Sequence, residues 1–346
     1  MKVLVTGAAG YIGSHTAKAL AKAGMRPVVY DNLSEGHREA VKWGPLVEAD
    51  LCDRGVLKQA IREHEIKAAI HFAARAYVGE SIVEPRKYFQ NNVTNSLNLL
   101  DALLDAGVDY FVFSSSCAVY GLPQSIPISE DHPKAPINPY GEAKLFIERV
   151  LEWYGHAYDL KWAALRYFNA AGADPDGQLG EVHDPETHLL PIAMQAALGM
   201  REQVEIFGTD YPTPDGTAVR DYIHVSDLAE GHVLALQHLL SSGRSFVANL
   251  GSERGFSVRQ VIAEVEQTAG RAIKVISAPR RPGDPPTLVA DPTRAHKLLN
   301  WTPKFSALET IVSTAWQWHV HVCQTGPAHQ PRKSKENKPI TRVAGY

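Results

Sequence analysis

The sequence predicts an α/β fold with a doubly wound parallel sheet and, beside it, a smaller discontinuous α/β lobe. In the first 168 residues, short apolar strands alternate with helical stretches, which is the pattern of βαβ units with parallel strands. The first strand runs straight into a turn with three glycines, which is a second sign of this fold. After residue 169 the alternation gives way to long stretches rich in Gly, Pro, Asp and His, and these predict the separate lobe.

The predicted elements follow one another in a regular order. Strands are predicted at Lys2–Thr6, Arg26–Tyr30, Ala68–Phe72, Tyr110–Ser114 and Lys161–Leu165. Helices are predicted between them at Ser14–Ala23, Arg54–Glu63, Tyr88–Ala106 and Tyr140–Tyr158. Further along, a helix at Ser226–Leu240 and a strand at Phe246–Gly251 return to the sheet, whereas a helix at Ser257–Ala269 lies outside it. The second lobe is therefore expected to consist of two separate stretches of chain.

Length and composition restrict the class of protein. A chain of 346 residues, of which 45% are hydrophobic, is long enough for about two domains with packed cores. The net charge of −3 does not favour nucleic-acid binding, and no apolar run reaches the ~20 residues of a membrane span. The three cysteines lack metal-ligand spacing, so neither a disulfide scaffold nor a zinc site is expected. We expect no metal, no cleavable signal and a reducing, cytoplasmic setting.

A glycine-rich turn opens the first helix. The segment from Thr6 to Gly13 reads Thr-Gly-Ala-Ala-Gly-Tyr-Ile-Gly, which spaces the three glycines three residues apart. Glycines at Gly7, Gly10 and Gly13 allow the main chain to approach a pyrophosphate closely, and the following helix N-terminus supplies oriented N–H groups. Because the turn joins the strand and the helix of a βαβ pattern, it predicts a dinucleotide site.

An acid at the end of the second strand indicates which dinucleotide is bound. Asp31 stands 18 residues after Gly13 and is followed by Asn32. A carboxylate at this place suits ribose hydroxyls and repels a 2′-phosphate, which favours NAD over NADP. Asp50 and Leu51, which follow another short apolar run, are candidates for holding the adenine.

A tyrosine and a lysine share one face of the helix that begins after Pro139. Tyr140 and Lys144 are four residues apart, so Lys144 is expected under or beside Tyr140. Free tyrosine, with a pKa near ~10, is a poor base at neutral pH, but a nearby ammonium and a cationic nicotinamide both favour the phenolate. Ser116 follows the fourth predicted strand, at the sheet edge where α/β folds bind ligands. Together these residues predict a base acting on a sugar hydroxyl.

The motifs resemble those of the extended short-chain dehydrogenase/reductases. That resemblance is carried by Thr6–Gly13, Asp31, Ser116, Tyr140 and Lys144. Further stretches, over about residues 1–320, are similar to the UDP-sugar 4-epimerase branch of the family: His71–Ala74, Val78–Ser81, Leu165–Asn169, Phe207–Tyr211, Arg220–His224 and Pro279–Asp284. The resemblance implies a Rossmann-like fold and an NAD-dependent isomerase that interconverts UDP-galactose and UDP-glucose.

The resemblance also implies a mechanism and a set of site residues. Tyr140, aided by Ser116, takes the proton of the sugar 4-hydroxyl while hydride passes from C4 to NAD, and the 4-keto sugar turns over before both return. The implied cofactor contacts are Gly7, Gly10, Tyr11, Ile12, Gly13, Asp31, Asn32, Asp50, Leu51, Phe72, Ala73, Ala74, Asn91, Tyr140, Lys144 and Tyr167. The implied substrate contacts are Ser116, Tyr140, Asn169, His188, Leu189, Phe207, Arg220, Arg281, Asp284 and Leu288.

Individual substrate contacts have distinct implied roles. Arg220 and Arg281 pair with the diphosphate, which Asn169 also approaches. Phe207 lies near the uracil, and Asp284 holds the uridine ribose. The implied diphosphate site includes two arginines, whose planar forks match phosphate oxygens.

The pattern predicts how the chain is divided and assembled. An NAD-binding domain is expected at residues 1–168 plus about 221–249, and the UDP-sugar lobe at about 169–220 plus 250–324. Residues 325–346 carry five basic residues against the single acid Glu336 and are expected to form a disordered basic tail. The resemblance further implies a homodimer in which helices Tyr88–Ala106 and Tyr140–Tyr158 of two chains form a four-helix interface.

Other sugar substrates and other reactions are alternatives to the interconversion of UDP-galactose and UDP-glucose. Leu288 stands at the wall of the sugar pocket, where family members with a bulky aromatic exclude N-acetyl sugars and those with a small residue admit them. Segments Ala76–Ser81 and Ser116–Ala118 also look like plant UDP-arabinose 4-epimerases, so a UDP-arabinose/UDP-xylose 4-epimerase is the main alternative. A nucleotide-sugar 4,6-dehydratase is less favoured because Cys117 and Ala118 replace its Asp-Glu pair. A non-catalytic NAD-binding regulator need not keep the catalytic residues together.

Overall fold

A seven-stranded parallel sheet forms the centre of the protein, described here by a computed structural model for residues 1–281 and 283–325. The strands of the sheet are β1 Lys2–Thr6, β2 Arg26–Asp31, β3 Leu46–Glu48, β4 Ala68–His71, β5 Tyr110–Ser116, β6 Lys161–Tyr167 and β10 Phe246–Leu250. Their order is β10-β6-β5-β4-β1-β2-β3. The chain therefore reverses direction across the sheet between β1 and β4, which is where doubly wound sheets open a ligand crevice.

Helices cover both faces of this sheet. The helices are α1 Tyr11–Lys22, α2 Arg54–Glu63, α3 Val78–Val83, α4 Pro85–Tyr88, α5 Asn95–Asp105, α6 Pro139–Tyr158, α7 Leu189–Ala197, α8 Val225–Ser242, α9 Val258–Ala269, α10 Thr293–Leu299 and α11 Leu308–Thr325. Val3 and Val5 of β1 pack with α1 and α8, whereas Leu4 packs with α2, α5 and α6. This alternation follows from the two-residue period of a strand and buries β1 on both sides, whereas the edge strand β3 stays partly exposed. The predicted fold class is confirmed.

The second half of the chain builds smaller sheets outside the central one. Their strands are β7 Asn169–Ala171, β8 Val204–Phe207, β9 Val219–His224, β11 Gly255–Ser257, β12 Val275–Ala278 and β13 Thr287–Leu288. β9 pairs with β7, β11 and β13, and β8 pairs with β12. A separate core from α7, α9 and α11, containing Met194, Val265 and Ile311, supports them. These strands are two to six residues long, so their apolar periods were too short to predict.

One predicted helix is interrupted in the structure. The helix expected over Tyr88–Ala106 is not continuous, because a π-helical turn at Phe89–Thr94 separates α4 from α5. The buried Asn92 of this turn bonds both main-chain groups of Arg75, accepting from its N–H at 2.8 Å and donating to its carbonyl at 2.9 Å. Such a turn serves a tertiary contact that a helical period does not record.

β5 and β6 extend two residues beyond their predicted ends. They pair along seven positions, up to Ser116 opposite Tyr167. The additional paired residues bring Ser116 and Tyr167 to the edge of the sheet.

No helix within residues 1–281 and 283–325 combines the length and the apolar character needed to cross a membrane. The predicted basic tail falls, apart from Thr325, outside the described residues.

Candidate active site

The glycine-rich turn after β1 lies against the chain that follows β4. Gly7 has φ +73°, and a Cβ there would come within 2.5 Å of the main-chain nitrogen of Ala73. A Cβ on Gly13 would meet the carbonyl oxygen of Gly7 at 2.4 Å. Only glycine therefore permits these contacts, which hold α1 close to the strand end. Gly10 is the N-cap of α1 without a side-chain cap, so the first N–H groups of Tyr11, Ile12 and Gly13 face the crevice that Phe72–Ala74 flank.

Asp31 at the end of β2 is buried beside this turn. Its two carboxylate oxygens accept main-chain hydrogen bonds from Ala9 and Leu33, each at 2.9 Å. Burial raises the pKa of Asp31 although both hydrogen bonds lower it. Each oxygen keeps acceptor capacity for a ribose hydroxyl, and a 2′-phosphate would meet a carboxylate. The glycine cradle and this acid fit NAD.

A cavity lies between Asp50 and the π-helical turn. Asn32 donates a 2.6 Å hydrogen bond to Asp50, and the neighbouring Leu51 is buried. The cavity has a volume of about 290 Å³ and is lined by Asp50, Cys52, Arg75, Lys87, Gln90, Asn91 and Asn95. The Asn91 amide donates to Asn92 at 2.9 Å. The structure thus collects the predicted residues Asn32, Asp50 and Asn91 in one region.

The first turn of α6 holds Tyr140 beside the end of β5. The helix begins with Asn138, which accepts a 2.8 Å hydrogen bond from the Gly141 N–H, and with Pro139 in the first turn. Lys144, one turn further, places its ammonium nitrogen 5.7 Å from the centre of the Tyr140 ring. A hydrogen bond links Tyr140 to Ser116. The three predicted catalytic residues therefore meet at the carboxyl edge of the sheet.

Burial dominates the pKa values of Tyr140 and Lys144. Burial raises the pKa of Tyr140 to about 12, and the hydrogen bond from Ser116 only partly offsets this. Burial lowers the pKa of Lys144 to about 7, against the opposing effect of Glu148. Desolvation is therefore the dominant effect on both groups, and the joint effect of the Lys144 ammonium and a cationic nicotinamide on the phenolate stays a prediction.

Further polar residues on α6, β5 and β6 support this constellation, and sequence reasoning missed Glu148 among them. Glu148 continues the face of α6 that carries Tyr140 and Lys144, and its buried carboxylate pairs with Arg166 of β6 and accepts from Ser115 at 2.6 Å. The i, i+4, i+8 spacing was the available signal for Glu148. The Ser114 hydroxyl contacts the Tyr167 hydroxyl, so β5 and β6 are also joined through side chains.

The predicted substrate residues form two pairs. The Arg281 guanidinium lies 4.0 Å from the centre of the Phe207 ring, and Arg220 forms an ion pair with Asp284. Leu288 is opposite Arg220 in the β13–β9 register. Arg220 also lowers the pKa of Cys117, next to Ser116, against the larger effect of burial. The chain thus brings the Arg220 pair near Ser116. Asn169 begins β7, opposite Tyr222 of β9.

His188 and Leu189 mark the start of α7. Leu189 packs against the core of the second lobe. Nδ1 of His188 lies 2.8 Å from a carboxylate oxygen of Glu181 and 3.3 Å from one of Glu186. Burial opposes protonation, but the two carboxylates raise the pKa of His188 to about 10. Sequence reasoning missed both carboxylates, because they lie on an irregular stretch without a period.

Comparisons with known proteins agree with this geometry. The sequence pattern of the NAD dependent epimerase/dehydratase family matches residues 3–251. The chain belongs to this family. The family depends on NAD by its description, so the cofactor predicted from Gly7–Gly13 and Asp31 is confirmed.

Individual proteins and solved structures are similar to this chain over most of its length. UDP-glucose 4-epimerase of Rhizobium meliloti (strain 1021) is 51% identical over 324 residues, which cover 94% of this chain and 98% of that protein. The crystal structure of UDP-glucose 4-epimerase from Brucella ovis in complex with NAD is 52% identical, with a TM-score of 0.89 over 91% of this chain and 97% of that chain. The crystal structure of UDP-glucose-4-epimerase from Stenotrophomonas maltophila, with bound NAD and formylated UDP-arabinopyranose, is 40% identical. Its TM-score is 0.91, and the match covers 94% of this chain and 99% of that chain.

Proposed function

We propose that this protein is an NAD-dependent UDP-glucose 4-epimerase, which interconverts UDP-galactose and UDP-glucose. The observation that carries the proposal is the meeting of Tyr140, Lys144 and Ser116 at the sheet edge that also holds the glycine turn. The 51% identity to a UDP-glucose 4-epimerase over nearly the whole chain supports it. The chain therefore has both the cofactor cradle and the base that oxidation at a sugar carbon needs.

Tyr140 serves as the base and then as the acid in this reaction. Bound NAD supplies the hydride acceptor for C4, returns the hydride, and adds a positive charge near the phenol. Tyr140 takes the proton of the 4-hydroxyl, with Ser116 bridging the two oxygens, and gives it back after the sugar has presented its other face. Lys144 has its ammonium nitrogen 5.7 Å from the ring centre, and its charge, together with that of the oxidised nicotinamide, opposes the desolvation that raises the pKa of Tyr140.

The nucleoside diphosphate anchors the substrate while the sugar turns. Phe207 and Arg281 already stack on each other, which leaves an aromatic face beside a cation for the uracil and a diphosphate oxygen. Asp284 holds the Arg220 fork in place and is proposed to take the ribose hydroxyls. Asn169, His188 and Leu189 are proposed to line the diphosphate from the β7 and α7 side. Because these contacts do not touch C4, they permit rotation of the reacting sugar.

A pentose substrate is the second candidate. Leu288 at the pocket wall is intermediate in size and partly buried. The Stenotrophomonas maltophila relative contains a UDP-arabinopyranose derivative, which shows that an enzyme of this fold with 40% identity holds a pentose nucleotide. A 4,6-dehydratase is not proposed, since the turn Cys117–Tyr120 after Ser116 contains no carboxylate to act at C5 and C6.

Domain division and assembly are also proposals. The separate apolar cores support a cofactor domain at 1–168 plus about 221–249 and a substrate lobe at about 169–220 plus 250–324. On α6, Phe146 is 47% and Trp153 is 73% exposed, two turns apart on one side of the helix, and Phe89 of the π-helical turn is 43% exposed. This apolar surface supports a homodimer through these helices. The three free cysteines support a cytoplasmic location.

Incubation with UDP-galactose and no added cofactor tests the proposed function. Anomeric proton signals in the NMR spectrum report the product directly. Appearance of UDP-glucose at a constant final ratio supports a 4-epimerase that carries its own NAD. If no product forms even with added NAD, the hexose assignment is overturned, and UDP-xylose is the substrate that then distinguishes the pentose alternative from an inactive protein.

A further inference from the structure

Four side chains with metal-binding atoms converge on the irregular chain before α7. Glu181, His183, Glu186 and His188 each offer one ligand atom, and these four atoms lie within 4.8 Å of one another. The residues follow a Glu-x-His-x-x-Glu-x-His spacing on a stretch without helix or strand. No regular element forces the four atoms together, so their convergence is a specific feature of this loop. None of the three cysteines, whose spacing predicted no zinc site, belongs to this cluster.

The distances within the cluster match those between ligands around one ion. Nδ1 of His188 lies 2.8 Å from Oε1 of Glu181, and Nδ1 of His183 lies 3.2 Å from the same oxygen. The corresponding distances to Glu186 are 3.3 Å for His188 and 3.6 Å for His183. Zinc bonds of 2.0–2.2 Å in a tetrahedron place neighbouring ligand atoms about 3.3–3.6 Å apart. Three of the four contacts, at 3.2–3.6 Å, are therefore close to the edges of such a tetrahedron, and the 2.8 Å contact of His188 with Glu181 is shorter.

An unpaired nitrogen points to an ion as the missing partner. Nδ1 of His183 is buried and makes no hydrogen bond, although a carboxylate oxygen lies nearby. The side chains of Glu181 and Glu186 are only 6% and 4% exposed. Two buried carboxylates require two positive charges, which either two imidazolium groups or one divalent cation can supply. Only the cation also gives the lone pair of His183 a partner.

We propose that Glu181, His183, Glu186 and His188 bind one divalent transition-metal ion, with zinc as the ion whose ligand preferences fit best. Two imidazole nitrogens and two carboxylate oxygens favour Zn²⁺ over Mg²⁺, which prefers oxygen ligands and octahedral geometry. The Tyr77 ring packs beside both imidazoles, at 6.1 Å from His183 and 6.4 Å from His188. The ion ties the loop to the start of α7 and so has a structural role.

Binding through Nδ1 also determines the tautomer of His188. With Nδ1 on the ion, Nε2 carries the proton and becomes a hydrogen-bond donor. The His188 side chain is 45% exposed, so a ligand can reach it. A role for this donor at the substrate diphosphate rests on the proposed function, whereas the metal site itself does not.

Metal content of the untagged full-length protein tests the proposal. The protein is stripped with chelator, reloaded with Zn²⁺ in the presence of millimolar Mg²⁺, desalted and analysed for metal by mass spectrometry. We expect about one equivalent of zinc per chain. His183→Gln and Glu186→Gln should each weaken zinc affinity by at least about 100-fold, as measured by competition with a coloured chelator. His64→Gln, a histidine at the end of α2, is the matched control and should keep the wild-type affinity.

Cobalt loading distinguishes a built site from adventitious binding. Co²⁺ in the wild-type protein should show the strong visible absorption of tetrahedral coordination, and His183→Gln should lose it while circular dichroism confirms that the variant is folded. The proposal is overturned if wild-type protein retains less than about 0.2 equivalents of zinc, or if both cluster variants bind zinc as tightly as His64→Gln. Neither measurement uses a sugar nucleotide, so failure of the metal site and failure of the proposed epimerase activity are separate results.

Discussion

The ammonium group of Lys144 donates a 2.6 Å hydrogen bond to the main-chain carbonyl of Ser114. This bond joins α6 to β5 two residues before Ser116, the last residue of the strand. Lys144 is buried, and its other neighbours are the rings of Phe113 at 4.9 Å and Tyr140 at 5.7 Å. The lysine therefore has a positional role as well as a charge, because it holds the helix with Tyr140, the proposed base, against the strand that ends at Ser116.

Replacement of the base should abolish turnover while leaving the cofactor in place. Tyr140→Phe removes only the phenolic oxygen, and we expect kcat to fall by about 10²–10⁴-fold. The NAD content after denaturation of the purified protein should be unchanged, because the ring still packs in the pocket. Tyr154→Phe, which removes a phenol of the same helix that bonds Asp101, is the matched control. Activity of Tyr140→Phe within threefold of wild type, measured by coupled assay, contradicts the assigned role.

Asp31 should control how firmly NAD is held. Asp31→Asn replaces a charged acceptor near the ribose by a neutral amide, and charged hydrogen bonds contribute about 1.5–3 kcal/mol, so retention of NAD should fall by roughly 10–100-fold. Discrimination against NADP should fall too, since the repelling charge is gone. Equilibrium dialysis with each dinucleotide measures both effects. Asp53→Asn, at the N-cap of α2, provides the control, and equal losses in the two variants argue against a specific role for Asp31.

Two adjacent arginines should behave differently toward the substrate. Arg281 stacks on Phe207, whereas Arg280 pairs with Asp210 and lies 4.3 Å from the Tyr211 ring. Arg281→Ala should raise KM for UDP-galactose by about 10–100-fold because one charged phosphate contact is lost. Arg280→Ala should leave KM within about threefold, since its partners lie within the protein. Steady-state kinetics measure KM in both variants. If KM rises more in Arg280→Ala than in Arg281→Ala, the diphosphate does not bind at Arg281.

The residue at the sugar-pocket wall should set the range of sugars accepted. Leu288→Ala enlarges the pocket beside Arg220, so the rate with UDP-N-acetylglucosamine should rise relative to that with UDP-glucose. Leu288→Tyr should lower the same ratio. Rates with both nucleotides under identical conditions give the comparison. Should the ratio stay constant in both variants, Leu288 does not face the reacting sugar.

A buried histidine should make the fold sensitive to acid. His71 lies between the hydroxyls of Thr6 at 2.6 Å and Ser96 at 2.8 Å, and burial together with Lys144 lowers its pKa to about 3. The unfolded chain then binds more protons than the folded one between pH 6.5 and 3, so stability is present above pH 6.5 and is lost as the pH falls. From pH 7 to 5 this histidine should cost about 2 kcal/mol in the free energy of unfolding.

Urea unfolding at the two pH values checks this effect. The loss between pH 7 and pH 5 should be smaller in His71→Gln than in the wild-type protein by about 1–2 kcal/mol. His71→Gln should also be less stable at pH 7, because a buried hydrogen-bond network is changed. If the free energy of unfolding falls by the same amount between pH 7 and pH 5 in the variant as in the wild-type protein, other groups cause the acid sensitivity.

The features that could be predicted from the sequence are local in origin. The first strand, the glycine turn from Gly7 to Gly13 and the Tyr140–Lys144 pair each depend on residues within one turn or one strand. Strand and helix periods act over the same short range, so the order of the central elements could be predicted as well. The positions of Asp31 and Ser116 followed from one rule, that parallel strands end at a common edge.

The features that join distant parts of the chain depend on packing and could not be predicted from sequence spacing. The buried pair of Glu148 with Arg166, the bond of Asn92 to the main chain of Arg75, and the four converging side chains before α7 each depend on packing. The shift in the pKa of Tyr140 also depends on packing, because burial raises this pKa although a lysine lies four residues away. Sequence spacing predicts which groups share a face, whereas desolvation depends on everything that packs over that face.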